Sequence, residues 1–131
     1  MGNKYILFLF VLIFLFGCGS SADLEKQITG SWKMEKVYEF GKDVSQKHNP
    51  DNNRWIEFEE DGTFVSDGDP FGKNTGRWKI DNSKSVLFID SDVDDDDSQW
   101  NLTFDGDKMI WTGIGQSRKE NTKLIHKRIA K

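Results

Sequence analysis

The sequence predicts an all-β fold, an eight-stranded antiparallel up-and-down barrel that follows an N-terminal export signal. Three observations lead to this prediction. Apolar and polar residues alternate in short runs, with the two-residue period of half-buried strands. Turns rich in Gly, Asp and Asn separate these runs at even spacing, and no long segment has a helical period. A meander of eight such strands can close on itself, which leaves no exposed strand edge.

The N-terminal segment has the composition of a signal peptide. One basic residue, Lys4, precedes an apolar run from Tyr5 to Phe16, and small residues follow the run. A membrane-spanning helix needs roughly 20 apolar residues, so this run is too short to span. We therefore expect residues 1–17 to be removed on export.

The only cysteine, Cys18, ends that apolar run. Leu15-Phe16-Gly17-Cys18 resembles the lipobox of bacterial lipoproteins, and the resemblance implies a diacylglycerol on Cys18 that anchors the chain to a membrane. The alternative is a secretory signal cut elsewhere, which leaves a free thiol. Gly19 does not resemble the Asp of an inner-membrane retention signal, which favours the outer membrane. The expected segments are a signal peptide over 1–17, the lipidated cysteine with its tether over 18–27, and the barrel domain over 28–131.

The elements follow from the alternation. One or two helical turns are expected over Asp23–Ile28, and the first strand then places Trp32, Met34, Tyr38 and Phe40 on one face. The other seven strands are expected near Arg54–Glu59, Thr63–Ser66, Gly76–Ile80, Ser85–Asp90, Trp100–Phe104, Lys108–Thr112 and Lys123–Ile129.

The connections fall into two groups. Asp61-Gly62 and Asp105-Gly106 predict tight hairpin turns, because glycine tolerates positive φ. The long loops are expected over 41–53, 67–75, 91–98 and 113–121. A two-sheet sandwich is the alternative architecture, and the absence of a long Greek-key crossover favours the barrel.

Several motifs in a fixed order carry a second resemblance. They are Gly30-Ser31-Trp32, then Trp55-Ile56-Glu57-Phe58 with Asp61-Gly62-Thr63-Phe64, then Gly76-Arg77-Trp78-Lys79-Ile80, and finally Trp100-Asn101-Leu102. The series resembles the bacterial lipocalin-like domain over residues 28–129. This resemblance implies an eight-stranded barrel, the fold in which lipocalins proper bind small apolar molecules, but likeness of fold does not carry ligand binding over to this chain. The resemblance also implies that Trp32 plugs one barrel end beneath a basic residue, for which Arg128 is the candidate; the alternative for Arg128 is solvated surface.

The barrel interior is the place where a ligand is expected. An eight-stranded barrel is just wide enough to be filled by its own side chains or to hold one small ligand. For each inward aromatic residue, core packing is expected ahead of ligand contact. The candidates for cavity lining are Met34, Tyr38, Phe58, Trp78, Trp100, Phe104 and Trp111.

The sequence contains no pattern that indicates catalysis, a metal or a cofactor. His48 and His126 have no sequence partner that suggests a catalytic dyad, so an enzyme is not expected. The acidic run Asp90–Asp97 is interpreted as a solvated hairpin loop, not a Ca²⁺ site. Counted from Asp90, the positions where an EF-hand needs Gly and Glu hold Asp95 and Asn101. The 18 basic and 22 acidic side chains give a net charge of −4, which argues against a nucleic-acid partner.

Two functional hypotheses remain open at this point. The first is a membrane-anchored binding module that holds a small apolar or amphipathic molecule. The second is an interaction lipoprotein with a filled barrel, whose outer surface contacts another envelope protein. An enclosed apolar pocket of about 300 Å³ or more favours the first hypothesis.

Overall fold

The structure is a computed structural model, and it describes residues 24–93, 97–115 and 119–130. The predicted signal peptide, the proposed lipidation site Cys18 and the centre of the acidic loop, Asp94–Asp96, lie outside the described residues.

The described chain forms a closed antiparallel barrel, which confirms the predicted fold class. Strands β1 and β3 to β9 follow each other in chain order around the barrel, and β9 pairs with β1 to close it. The two-residue strand β2 pairs with the C-terminal end of β1. The elements are α1 (Leu24–Ile28), β1 (Gly30–Glu39), β2 (Lys42–Asp43), α2 (Ser45–His48), β3 (Trp55–Phe58), β4 (Thr63–Asp67), β5 (Asn74–Asp81), β6 (Val86–Ser91), β7 (Ser98–Asp105), β8 (Lys108–Gly113) and β9 (Thr122–Ala130).

The core lies inside the barrel and comes from alternate residues of its strands. Its largest buried side chains are aromatic, and α1 adds the fully buried Ile28. Because the closing strand pair and this core both lie within 28–130, that segment carries what a domain needs to fold on its own.

The predicted strands and the short helix are confirmed to within about two residues. Gly62 and Gly106 have φ of +85° and +59°, as the two hairpin turns require. The segment 41–53, expected as a loop, instead contains β2 and α2.

The expected face of the first strand is wrong beyond Met34. The pairing of β1 with β9 shifts between Met34 and Lys36, so Glu35 is the extra residue of a β-bulge. A shift of one residue exchanges the two faces of a strand. Val37 is therefore buried inside the barrel, while Phe40 is exposed.

The two ends of the barrel differ in the length of the connections between their strands. At the end that we call the closed end, α1 lies beside the tight connections 59–62, 82–85 and 106–107. At the other end, the open end, the longer connections 40–54, 68–73, 92–97 and 114–121 surround the mouth of the barrel.

Candidate functional site

The closed end is filled by Trp32. Its side chain is 1% exposed, and its ring packs at a centroid distance of 5.9 Å from that of Phe104. The indole Nε1–H donates a hydrogen bond of 2.7 Å to the carbonyl oxygen of Ile28, the last residue of α1. Trp32 thus joins the helix to the sheet and leaves no polar atom of its side chain without a partner.

Arg128 covers Trp32 from the neighbouring strand. Trp32 and Arg128 are paired across β1 and β9, and the guanidinium carbon lies 4.0 Å from the centroid of the indole ring. Its Nη1–H donates to the Thr29 carbonyl at 3.0 Å, and its Nη2–H donates to the Gln27 carbonyl. Arg128 therefore satisfies carbonyl groups at the end of α1, where a helix has no internal donors for them.

The open end contains a cavity of about 540 Å³. Its floor is aromatic and aliphatic, from Trp100, Trp111 and Leu124, and its rim is polar. The chain does not fill this end, because the inward positions near the mouth hold small side chains such as Ser66 and Ser98. The cavity is the candidate functional site.

A buried histidine lies against the cavity floor. His126 is 2% exposed, and its ring lies 4.6 Å from that of Trp111, centroid to centroid. Burial, together with the positive charge of Arg54, lowers the pKa of His126 from 6.5 to about 3, so the ring is neutral. Its Nδ1 and the Nε1 of Trp111 are buried and have no hydrogen-bond partner among the described residues.

The rim of the cavity is organised around Arg54. Its Nη1–H donates to the His48 carbonyl at 3.1 Å, and the Phe71 ring covers the guanidinium with a centroid distance of 4.6 Å. Burial lowers the pKa of Arg54. Asn49, which is 7% exposed, fixes the surrounding loop: its Oδ1 accepts from the Arg54 amide, and its Nδ2 donates to the Met34 carbonyl beside the β-bulge.

The residues expected to line a cavity do not all lie in one place in the fold. Trp100 and Trp111 line the open cavity. Met34 and Phe58 are buried in the core, and Phe104 packs against Trp32, so none of these three reaches that cavity.

Tyr38 and Trp78 both lie outside the open cavity, and the expectation that Tyr38 faces the barrel interior is wrong. The β-bulge places Tyr38 on the outer face, where the Lys123 ammonium lies 6.0 Å from its ring centroid. Trp78 belongs to the closed end, because its Nε1–H donates to the carbonyls of Glu59 and Thr63. Trp78 also borders a second depression of about 760 Å³, which runs along the outer face of β5 to β7 between exposed charged side chains.

The described residues contain no group of three or more His, Cys, Asp and Glu side chains placed to hold a metal ion. No helix in the described part of the chain is long and apolar enough to cross a membrane. The visible ends of the acidic loop make local bonds: Asp92 accepts from the Thr75 hydroxyl, and Asp97 accepts from the Ser91 amide.

No sequence motif singled out Arg54 or Asn49 as a site residue, and His126 was placed on the last strand without an assigned role. The two-residue period held a signal for two of them: Arg54 alternates with Ile56 and Phe58, and His126 alternates with Arg128. Asn49 had no such signal, because its role depends on the β-bulge in a distant strand.

Comparisons with known proteins identify the fold alone. No family model matches the chain, and no curated protein matches it. Among solved structures, the chain is similar to a DUF4847 family protein from Bacteroides vulgatus ATCC 8482, with a TM-score of 0.58 and 16% identity. The alignment covers 79% of this chain and 95% of that protein. At this identity, the likeness supports the barrel and carries no residue-level role.

Proposed function

We propose that this protein is a membrane-anchored lipoprotein whose barrel holds a small amphipathic molecule at its open end. The observation that carries the proposal is the cavity of about 540 Å³ with an aromatic floor and a polar rim. Ligand pockets generally have volumes of about 300–1,000 Å³ and combine an apolar lining with a few polar groups. A barrel filled by its own side chains offers no such space.

The position of α1 supports an orientation for the anchored protein. The proposed anchor, Cys18, precedes Leu24 by the short tether 19–23, which reaches at most about 20 Å when extended. Because α1 lies at the closed end, a lipid on Cys18 holds the closed end toward the bilayer. The open end then faces away from that bilayer and toward the aqueous compartment.

Ligand binding is tested by native mass spectrometry of the full chain extracted from its own membranes. We expect a co-purified small molecule on the wild-type protein. The variant Ser66→Phe, which places a ring in the mouth of the cavity, is expected to lose it. The control Thr103→Phe adds the same ring on the exposed face of β7 and is expected to keep the molecule. Wild-type protein that carries nothing and binds no amphiphile on addition contradicts the proposal.

The anchor is tested separately through Cys18. The variant Cys18→Ser is expected to abolish labelling of the protein by a clickable fatty acid and to release it from membranes. Labelling that persists in this variant contradicts the proposed lipid anchor on Cys18 and does not affect the proposal of ligand binding.

One observation favours the second candidate, an interaction lipoprotein. The exposed large apolar side chains include Phe40, Phe71 and Val93, which are 77%, 63% and 52% exposed, and all three lie at the open end. Contiguous exposed apolar patches mark interaction sites, and these three side chains share one end of the barrel. If this candidate is correct, a protein co-purifies, and the double variant Phe40→Ser/Phe71→Ser releases it while Ser66→Phe does not.

A further inference from the structure

The rim of the open cavity holds a cation, Arg54, that has no carboxylate partner among the described residues. We propose that the guanidinium of Arg54 binds the oxyanion head of an amphiphile, a carboxylate or a phosphate, whose apolar tail lies on the cavity floor. This inference rests on the proposed binding function and adds to it the charge and the orientation of the ligand.

Arg54 is partly removed from water without an internal counter-charge. Of the five N–H donors that a guanidinium presents, one is used among the described residues, in the bond to the His48 carbonyl. No carboxylate oxygen of the described chain lies within 4.0 Å of this guanidinium. Burying a charge is unfavourable unless the charge is paired, so a bound anion offsets a penalty that the empty site retains.

Among the described residues, two carboxylates line the cavity, and both are directed at other groups. An Oε1 of Glu39 lies 2.8 Å from the Nε2 of His48, and an Oδ1 of Asp67 accepts from the Gly68 amide at 2.7 Å. Among the described residues, the lining also includes the side chain of Lys73.

The shape of the site sets the orientation of the ligand. Phe71 covers the guanidinium, and the fork of N–H groups matches the paired oxygens of a carboxylate or a phosphate. Away from the rim, the rings of Trp100 and Trp111 and the side chain of Leu124 offer an apolar surface. An amphiphile thus lies with its head at Arg54 and its tail toward the floor.

The first test compares head groups on one tail. Residues 20–131 are titrated by calorimetry with decanoate, decyl phosphate, decanol and decyltrimethylammonium, each below its micelle-forming concentration. We expect at least one of the two oxyanions to bind tenfold or more tightly than decanol, and the cation to bind most weakly. A preference for decanoate or for decyl phosphate identifies the source of the oxyanion. Decanol that binds as tightly as both oxyanions overturns the inference but keeps the proposed function, whereas no binding by any of the four contradicts both.

The second test changes the cation. Arg54→Gln is expected to weaken oxyanion binding tenfold or more and to change decanol binding less than twofold. Arg77→Gln, on the exposed face of β5, is the matched control and is expected to bind like the wild type. Arg54→Lys keeps the positive charge but not the forked N–H groups, so we expect a loss of oxyanion affinity between those of the wild type and Arg54→Gln. This variant replaces Arg54→Gln in the test if Arg54→Gln does not fold. Oxyanion affinity that is equal in the wild type and in a folded Arg54 variant overturns the inference.

Discussion

The two ends of this barrel share one sheet and differ in how their arginine and tryptophan side chains are partnered. At the closed end, Trp32 is buried, its indole N–H is bonded, and Arg128 covers its ring. At the open end, a partly buried guanidinium has no carboxylate partner in the described chain, and the indole N–H of Trp111 is buried without a bond. The closed end also has a buried polar atom without a partner in the described chain, the Oδ1 of Asn82, so the contrast between the ends rests on the cation and the cavity. The difference is consistent with the proposal that the closed end maintains the fold and that the open end binds a ligand.

The largest expected effect is the loss of Trp32. Trp32→Ala removes a buried indole together with its bond to Ile28, and such truncations reduce the free energy of unfolding by about 3–5 kcal/mol. Urea denaturation monitored by circular dichroism measures the change. The control is Trp55→Ala at the open end, where the side chain is only half-buried, and we expect a smaller loss there. Equal losses at the two ends contradict the division between them.

The second effect is a loss of stability in mild acid that comes from His126. Its pKa is about 3 in the folded protein, against an ordinary value of 6.5, so the unfolded chain binds a proton that the folded protein refuses. The stability that this group contributes is complete above pH 6.5 and falls toward pH 3. By pH 5 the loss is about 2 kcal/mol, at 1.36 kcal/mol per pH unit.

Urea midpoints measured between pH 5 and pH 7 test this expectation. The carboxyl of Asp43, whose pKa is held at about 2 by hydrogen bonds from Ser45, adds its own loss only below about pH 4. In the variant His126→Gln, we expect the slope between pH 5 and pH 7 to be largely removed. A slope that this variant leaves unchanged assigns the acid sensitivity to other groups.

A smaller effect is expected from Arg128. Arg128→Met keeps much of the packing over Trp32 but loses the cation–π contact, which is typically worth about 0.5–2 kcal/mol, and two bonds to the end of α1. A double-mutant cycle with Trp32→Ala separates the contact from the bonds. We expect the combined loss to be smaller than the sum of the single losses. Strict additivity contradicts the stacking of the two side chains as a source of stability.

The smallest effect is expected at the rim of the open end. Phe71 is 63% exposed, so Phe71→Ala is expected to change the free energy of unfolding by less than about 0.5 kcal/mol. The same variant uncovers the Arg54 guanidinium and is expected to alter the affinity for an amphiphile. A large loss of stability in this variant means that Phe71 stabilises the fold, and it contradicts the expected difference between the two ends.

The sequence predicted the closed end in more detail than the open end, for a physical reason. Tight turns and alternating strands depend on local residue preferences, so Gly62 and Gly106 were sufficient to place two hairpins. The β-bulge at Glu35 depends on pairing with a distant strand, and it exchanged the faces of Tyr38 and Val37. The position of Asn49 depends on the same bulge, and the partners of Arg54 come from the folded loop, so these contacts could not be predicted.

The most direct test of the whole account uses the five tryptophan indole N–H resonances of the barrel in a ¹⁵N NMR titration with decanoate. Trp100, Trp111 and Trp55 line the cavity, whereas Trp32 and Trp78 donate their indole hydrogens at the closed end. We expect the first three resonances to shift on binding and the last two to keep their positions. Shifts that are confined to Trp32 and Trp78, or that are equal for all five, contradict an account in which one end of the barrel binds and the other end holds the fold.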